Sequence, residues 1–372
     1  MKNKILLSPP HMSGAELTYI QQAFEANWVA PKGAQIDDFE QELAACLTTL
    51  NKVVALNSGT SAIHLALLLL GIKKEDRVLC QSFTFAATVN PVGYLGATPV
   101  FVDSETDTWN VCPMLLEEAI QDQISKGNKP KAMIVVHGYG MPCKIHEILE
   151  IGLTYNIPIV EDAASALGSS VDNQKCGTFG EFGVVSFNGN KIITTSGGGA
   201  LLCKDAATKQ KAVYLATQAR DNKPHYQHSE IGYNYRMSNI IAGIGRGQLE
   251  VLDERVAARR SNFEFYKNSF KGISTLEFLE APTGYYANRW LTCITTPSYE
   301  IREQLRLALE KENIEARPLW KPMHQQPIFE KYPSYINGVS DDLFERGLCL
   351  PSGSNLSEAD LQRVCACVKK NV

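Results

Sequence analysis

One lysine stands alone in a stretch that carries no other charge. From Phe182 to Cys203, FGVVSFNGNKIITTSGGGALLC, Lys191 is the only charged side chain in twenty-two residues, where the chain-wide 20 % would place about four. A desolvated lysine loses affinity for its proton, because burial disfavours the charged form. The neutral amine is then a nucleophile able to form a Schiff base with an aldehyde. The glycines at 189, 197, 198 and 199 and the apolar neighbours set this lysine apart from one in a solvated loop. A second signal is Ile157-Pro158-Ile159-Val160-Glu161-Asp162, which places Asp162 at or just past the carboxyl end of a buried strand. A buried acid needs a partner. A protonated pyridine nitrogen is one such partner, and the N–H groups of a following helix are another. A third signal is Asn57-Ser58-Gly59-Thr60-Ser61-Ala62, which leads directly into an apolar helical run. Unsatisfied N–H groups, the positive end of a helix dipole and nearby hydroxyls make a phosphate site. Similar Ser/Thr turns also serve as plain caps. Ser186, following Val184-Val185, adds a further hydroxyl.

Together these elements match the needs of one cofactor. Pyridoxal phosphate takes a lysine for its aldehyde, an acid for its ring nitrogen and a helix end for its phosphate. The order of phosphate turn, then aspartate, then lysine 29 positions later is more specific than any one piece.

Such residues must be held by strand ends. Val53–Leu56, Val78–Cys80, Pro99–Asp103, Ala132–Val136 and Ile157–Val160 read as short buried strands. Helical patterns at Ala86–Leu95 and Ile145–Tyr155 lie between them. Continuous apolar strands alternating with helices predict an α/β fold with a mostly parallel sheet covered on both faces. Ligands of such sheets sit outside the carboxyl ends of the strands. A long helical pattern runs from Asn239 to Tyr266, and from about residue 270 the texture becomes a smaller α+β unit. Its parts read as a strand at Leu291–Thr296, a helix at Tyr299–Glu312 and a terminal helix capped by Ser357. The expected division is a large domain at 1–250 and a small C-terminal domain at 251–372.

Composition narrows the function classes. The 372 residues are 44 % hydrophobic with a net charge of −4, which argues against nucleic-acid and membrane-surface partners. Ten cysteines show no CxxC and no zinc-type Cys/His spacing, so no metal is expected. The apolar start ends at Ser8-Pro9-Pro10, too short for a signal peptide, and no run is long enough to span a bilayer. A soluble cytoplasmic protein is expected. The glycine run lacks the GxGxxG spacing of nicotinamide enzymes, and no GxSxG is present.

Over essentially its whole length the chain resembles the DegT/DnrJ/EryC1/StrS sugar aminotransferases. The residues that carry this are ALNSGTSAIHLAL (55–67), SFTFAAT (82–88), EDAASALGS (161–169), GTFGEFGVVSFNGNKIITTSGGGALL (177–202), GYNYRMSNI (232–240) and RPLWKPMH (317–324). The branch it most resembles acts on UDP-linked 4-keto-6-deoxy-N-acetylhexosamines, including bacillosamine-pathway enzymes. The resemblance implies an aspartate-aminotransferase-like fold of type I. It implies that Lys191 holds the cofactor covalently, Asp162 faces its ring nitrogen and Phe85 stacks on its ring. Gly59, Thr60, Ser61 and Ser186 would hold the phosphate, joined by Asn234 from the second subunit of a homodimer with shared sites. Where many relatives carry Gln or Glu that reaches the ring hydroxyl, this chain has Ser165. L-glutamate is the implied amino donor, with the amine delivered to sugar C4. Arg220, Arg236, Arg317 and Lys321 are candidates for the nucleotide diphosphate, Arg317 ranked first beside Pro318, each equally compatible with a solvated surface side chain; His324 is a candidate for the sugar, with a structural role as its alternative. Rival readings are a dehydratase, which in relatives has His in place of Lys191, a C3-aminotransferase, or a non-catalytic regulator.

Overall fold

The computed structural model describes residues 3–50 and 52–372. Its strands in chain order are β1 (Lys52–Leu56), β2 (Arg77–Gln81), β3 (Thr98–Val102), β4 (Ala132–Val136), β5 (Ile159–Asp162), β6 (Ser170–Val171), β7 (Gln174–Lys175), β8 (Phe182–Ser186) and β9 (Gly199–Cys203). The remainder are β10 (Glu277–Phe278), β11 (Tyr285–Tyr286), β12 (Thr292–Thr295), β13 (Arg317–Pro318), β14 (Ser334–Tyr335) and β15 (Gly347–Leu350). Eight of them form one sheet in the order β1-β9-β8-β5-β4-β2-β3-β14. Only β9 runs against the rest, pairing antiparallel with both β1 and β8.

The expected α/β architecture of fold type I is what forms, and alternation along each strand explains it. Val54 and Leu56 of β1, Val184 of β8 and Leu201 of β9 pack on one face with Ile63 and Leu67 of the helix Gly59–Leu69. Val53, Ala55, Val185 and Leu202 face the other way, toward Ile36, Phe39 and Leu43 of the helix Ala34–Cys46. Further along, Leu79, Val100 and Met133 meet Leu116 and Ile148 of two more helices. Each layer is packed with buried apolar side chains, so these strands read as apolar on both sides.

Three local readings change. The pattern at Ala86–Leu95 becomes a 3₁₀ turn, Ala86–Thr88, and a short helix, Asn90–Tyr94, because Pro91 lacks an N–H and restricts the residue before it. The run from Asn239 to Tyr266 is two helices, Asn239–Leu249 and Leu252–Ser269, broken at Glu250–Val251. The fifth strand lies two residues later than expected, which puts Asp162 on its last position. The terminal helix Glu358–Asn371 starts with the expected capping box of Ser357 and Asp360.

The C-terminal unit is built on the sheet β10-β12-β15-β13. Its core of Ile294, Leu305, Leu309, Leu348 and Val364 also takes in Ile5 from the N-terminus. In return, β14 leaves this unit and pairs with β3 at the edge of the large sheet. The chain therefore crosses between the two units at both ends, and the cleft between them is walled by both.

Candidate active site

That cleft is a cavity of about 760 Å³ at the carboxyl end of β5. Its floor holds three of the predicted groups together: Lys191, Asp162 and the turn Ser58-Gly59-Thr60.

Lys191 lies in the loop joining the antiparallel pair β8 and β9. The loop is pinned by bonds from Phe187 N to Gly198 O at 2.9 Å and from Thr195 N to Phe187 O at 2.9 Å. Ile192 and Ile193 anchor it in the core, so the amine next to them is directed rather than loose. Nζ donates to Ser165 Oγ at 3.1 Å and stands 4.0 Å from the centre of the Trp290 ring. Burial pushes this amine down to about 8, although the Asp162 carboxylate nearby favours its charged form.

Asp162 is buried at the strand end. Thr88 Oγ1 donates to its Oδ2 at 2.7 Å, and Ala164 N donates to Oδ1 at 3.0 Å. Each oxygen keeps acceptor capacity, which a ring N–H entering from the cavity would use. The helix N-cap reading is corrected, because no helix follows β5: the Ala164 N bond closes a turn instead.

At the opposite end of the floor, Ser58 caps the helix Gly59–Leu69 by accepting from Ser61 N at 3.1 Å. Gly59 and Thr60 line the cavity. N–H groups at the start of a helix have no acceptor inside it. Gly199 makes this approach feasible, because a Cβ there would lie 2.4 Å from Gly59 N. Ser186 joins them from the end of β8, while Ser61 does not line the cavity and donates its hydroxyl to Asn57 Oδ1 at 2.7 Å. Phe85 borders the space and is 62 % exposed, with a free ring face. An amine for the aldehyde, an acceptor for the ring nitrogen and an N-terminal cradle for the phosphate are all present. The residues fit pyridoxal phosphate.

The mouth of the cavity is less as expected. Arg317 lines it, with Nε and Nη2 on Glu315 Oε1 at 2.9 and 2.8 Å. Glu315 is itself fixed by Leu7 N, which donates to Oε2 at 3.0 Å. Although burial opposes it, that bond and the guanidinium hold the Glu315 carboxyl below its ordinary range. Arg236 is a correction. It is buried beneath β1, paired with Glu40 and donating to Ala55 O at 2.9 Å, so it braces the sheet and does not face the cavity. Lys321 and His324 also lie off this chain's cavity. Lys321 receives Gln326 Nε2 on its carbonyl at 3.1 Å, and His324 sits 2.7 Å from Ser82 Oγ and 2.9 Å from Asp341 Oδ1. Arg220 and Asn234 are exposed on a segment outside it, with the Arg220 guanidinium 4.2 Å over the Tyr226 ring.

Several lining residues had no sequence signal of their own. Thr88 was visible only as part of SFTFAAT, and Trp290 lies about a hundred residues from the lysine it covers. Trp320 stacks on Tyr139 at 4.1 Å to form the back wall, and Leu6 to Pro9 close the near side. His137, at the end of β4, is fully buried against Glu161 at 3.0 Å and serves packing. Among the described residues no cluster could hold a metal ion, and no helix is long and apolar enough to cross a membrane.

A mostly parallel sheet with a lysine, an aspartate and a helix cradle at one strand end defines a fold type I protein built for pyridoxal phosphate. The profile of the DegT/DnrJ/EryC1/StrS aminotransferase family matches residues 10–369, and the chain belongs to that family. It is 51 % identical over 368 residues to EpsN of Bacillus subtilis (strain 168), provisionally named a pyridoxal phosphate-dependent aminotransferase, covering 98 % of this chain and 95 % of that one. It is 35 % identical over 362 residues to a GDP-perosamine synthase of Escherichia coli O157:H7, covering 97 % and 96 %. A solved DegT DnrJ EryC1 StrS aminotransferase from Brucella abortus superposes with a TM-score of 0.90 at 30 % identity, over 96 % and 95 % of the two chains.

Proposed function

We propose that the protein transfers the amino group of L-glutamate to C4 of a UDP-linked 4-keto-6-deoxy-N-acetylhexosamine, for surface-glycan or glycoprotein sugar synthesis. The observation that carries the chemistry is the opening of Lys191 and Asp162 on the same floor. When bound, pyridoxal phosphate supplies an electron-accepting ring conjugated to the substrate amine. In this reading Lys191 would hold the cofactor through its amine and, as a free amine, would move the proton at the substrate α-carbon. Asp162, aligned by Thr88, keeps a proton on the ring nitrogen. Gly59, Thr60 and Ser186 fix the phosphate, and Phe85 covers the ring. The aromatic back wall excludes water from the reacting atoms. Two half-reactions on one floor give ping-pong kinetics.

Arg317 is the candidate for the diphosphate from within this chain. Arg220, Lys321 and His324 lie off this chain's cavity, and Asn234 is assigned to the second subunit's phosphate site. A homodimer with shared sites is supported by the same segment, where Ile231 and Tyr226 are 83 % and 79 % exposed. The large and small domains divide near the start of the helix Leu252–Ser269. Ten cysteines with no disulfide among the described residues support a cytoplasmic location.

Relatives differ in nucleotide and ring position: one is a GDP-perosamine synthase, and another, 31 % identical, is a UDP-N-acetyl-3-dehydro-alpha-D-glucosamine 3-aminotransferase of Acidithiobacillus ferrooxidans. The test is therefore a panel. The loaded enzyme with L-glutamate is offered UDP- and GDP-linked 4-keto and 3-keto sugars, and products are resolved by mass and NMR. Amine formation at C4 of the UDP-linked 4-keto-6-deoxy-N-acetylhexosamine is expected. Preference for the GDP-linked or 3-keto sugar overturns the assignment.

A further inference from the structure

The Lys191 amine has no carboxylate within ion-pairing distance among the described residues, yet it is not left to solvent. Its two neighbours are the hydroxyl of Ser165 at 3.1 Å and the indole face of Trp290 at 4.0 Å. One side chain bonds the backbone of both. Asn288 Nδ2 donates to Ser165 O at 3.0 Å, and Asn288 Oδ1 accepts from Trp290 N at 2.8 Å. The indole cannot turn away, because its Nε1 donates to Asn190 O at 2.7 Å, one residue before the lysine. Behind it, Tyr139 stacks at 6.3 Å with an interplanar angle of 18°.

We infer that Trp290 and Ser165 are positioning residues that form a berth for the Lys191 amine, the indole face favouring its charged form and the hydroxyl fixing its place. The two contacts differ in what they ask of the proton. A ring face attracts an ammonium and gains little from a neutral amine. A hydroxyl accepts from the ammonium or donates to the amine, so it bonds both forms. Trp290 therefore works against burial and sets how much free amine is available, whereas Ser165 sets where it sits. The charged and titratable groups facing this amine are otherwise Asp162 from β5, Arg259, whose Nη2 reaches Lys191 O at 3.4 Å, and Tyr139, Cys349, Glu315 and Arg317 around the same cavity. Of these, only Tyr139 packs on the Trp290 ring, on its far side, and the charged groups keep their own partners when 290 or 165 is changed.

This inference rests on Lys191 being the cofactor lysine, and the experiment separates the two. Full-length protein stripped of cofactor is mixed with pyridoxal phosphate from pH 6 to 10, and the growth of visible absorbance is followed. The nitrogen bonds to the aldehyde carbon, and the carbonyl oxygen leaves as water with both amine protons. For wild type the rate rises with pH and levels past a midpoint near 8. Trp290→Leu is expected to lower that midpoint by about one unit, which raises the rate at pH 7 roughly fivefold. Trp290→Phe keeps a weaker face and shifts it less, in the same direction. Ser165→Ala leaves the midpoint in place and lowers the plateau rate. An unshifted or raised midpoint in Trp290→Leu overturns the berth, as does an equal shift in Ser165→Ala. If Trp290→Leu does not fold, Trp290→Phe decides by the same criterion. Unchanged absorbance in Lys191→Ala instead removes the lysine assignment itself.

Discussion

The floor and the mouth of the one cavity are built by opposite means. On the floor, Asp162 and Ser186 are the last residues of β5 and β8, Gly59 and Thr60 open a helix, and Lys191 sits in a loop clamped between paired strands. At the mouth, the charged groups Glu315 and Arg317 lie at and just before the short strand β13 of the smaller unit, and they are held mainly by one another. The pair Glu315–Arg317 leans on Leu7 N, some three hundred residues away in the chain. Position on the floor is inherited from the sheet. Position at the mouth has to be assembled.

This contrast is tested most severely at the floor. Lys191→Ala is expected to abolish turnover and the lysine-linked visible absorbance. Turnover within a few fold of wild type would end the distinction, because the floor would then hold no essential group. Asp162→Asn keeps the size and the bond from Thr88 but removes the charge. A drop in kcat of about a hundredfold or more, with little change in KM, is expected from steady-state kinetics.

The next pair of changes separates two arginines that look alike in sequence. The Arg236 side chain is held against Glu40, which keeps Lys209 Nζ at 2.6 Å and Ala55 N at 2.8 Å when the arginine is removed. Arg236→Ala is expected to lower stability in denaturant titration by about 2 kcal/mol, with the KM for sugar unchanged in the folded fraction. Arg317→Ala is expected to raise that KM roughly tenfold, the value of one charge-assisted contact, without moving the midpoint of unfolding. A reversed outcome would mean that the mouth extends under β1.

The same contrast explains what could be read from the chain. The alternation of apolar runs with helical patterns gave the parallel sheet, and with it the place of Asp162 and of the turn at residues 57–60. Lys191 was legible because an isolated charge in an apolar segment has few explanations. Arg236 was misplaced because GYNYRMSN looks like a polar loop. Nothing in those letters shows that Glu40, nearly two hundred residues earlier, lies beside the arginine. Trp290 and Thr88 were missed for the same reason: their roles exist only once the smaller unit folds over the lysine and the 3₁₀ turn swings Thr88 toward the strand end. Strand β9, the single antiparallel member, was hidden in the glycine run that the lysine made conspicuous.

A pH profile sharpens the comparison further, because the floor titrates in the working range and the mouth does not. The folded Lys191 amine is lowered to about 8, so it is the neutral, reactive form that grows as pH rises. Roughly a tenth of it is neutral at pH 7 and roughly nine-tenths at pH 9, so cofactor loading should accelerate about eight- to tenfold across that span. A flat loading rate over the same range would show that the amine is not desolvated.

The mouth carries the smallest expected effect. Glu315 is a carboxyl held below its ordinary range, so it remains ionised from pH 6 to 9 and loses charge only in stronger acid. The sugar KM should accordingly stay level where cofactor loading climbs. Glu315→Gln keeps an acceptor for Leu7 N but gives up the charge that parks Arg317, leaving the guanidinium free to turn to an anionic substrate. The side chain of Arg317 is 70 % exposed, so the pair is screened and little is gained by breaking it. A two- to threefold fall in KM, about 0.5 kcal/mol, is the expected size, and it should be the same at pH 6 and pH 9. A rise in KM, or a change that tracks pH across this range, would mean that Glu315 itself touches the substrate, and the mouth would then be a binding surface as fixed as the floor.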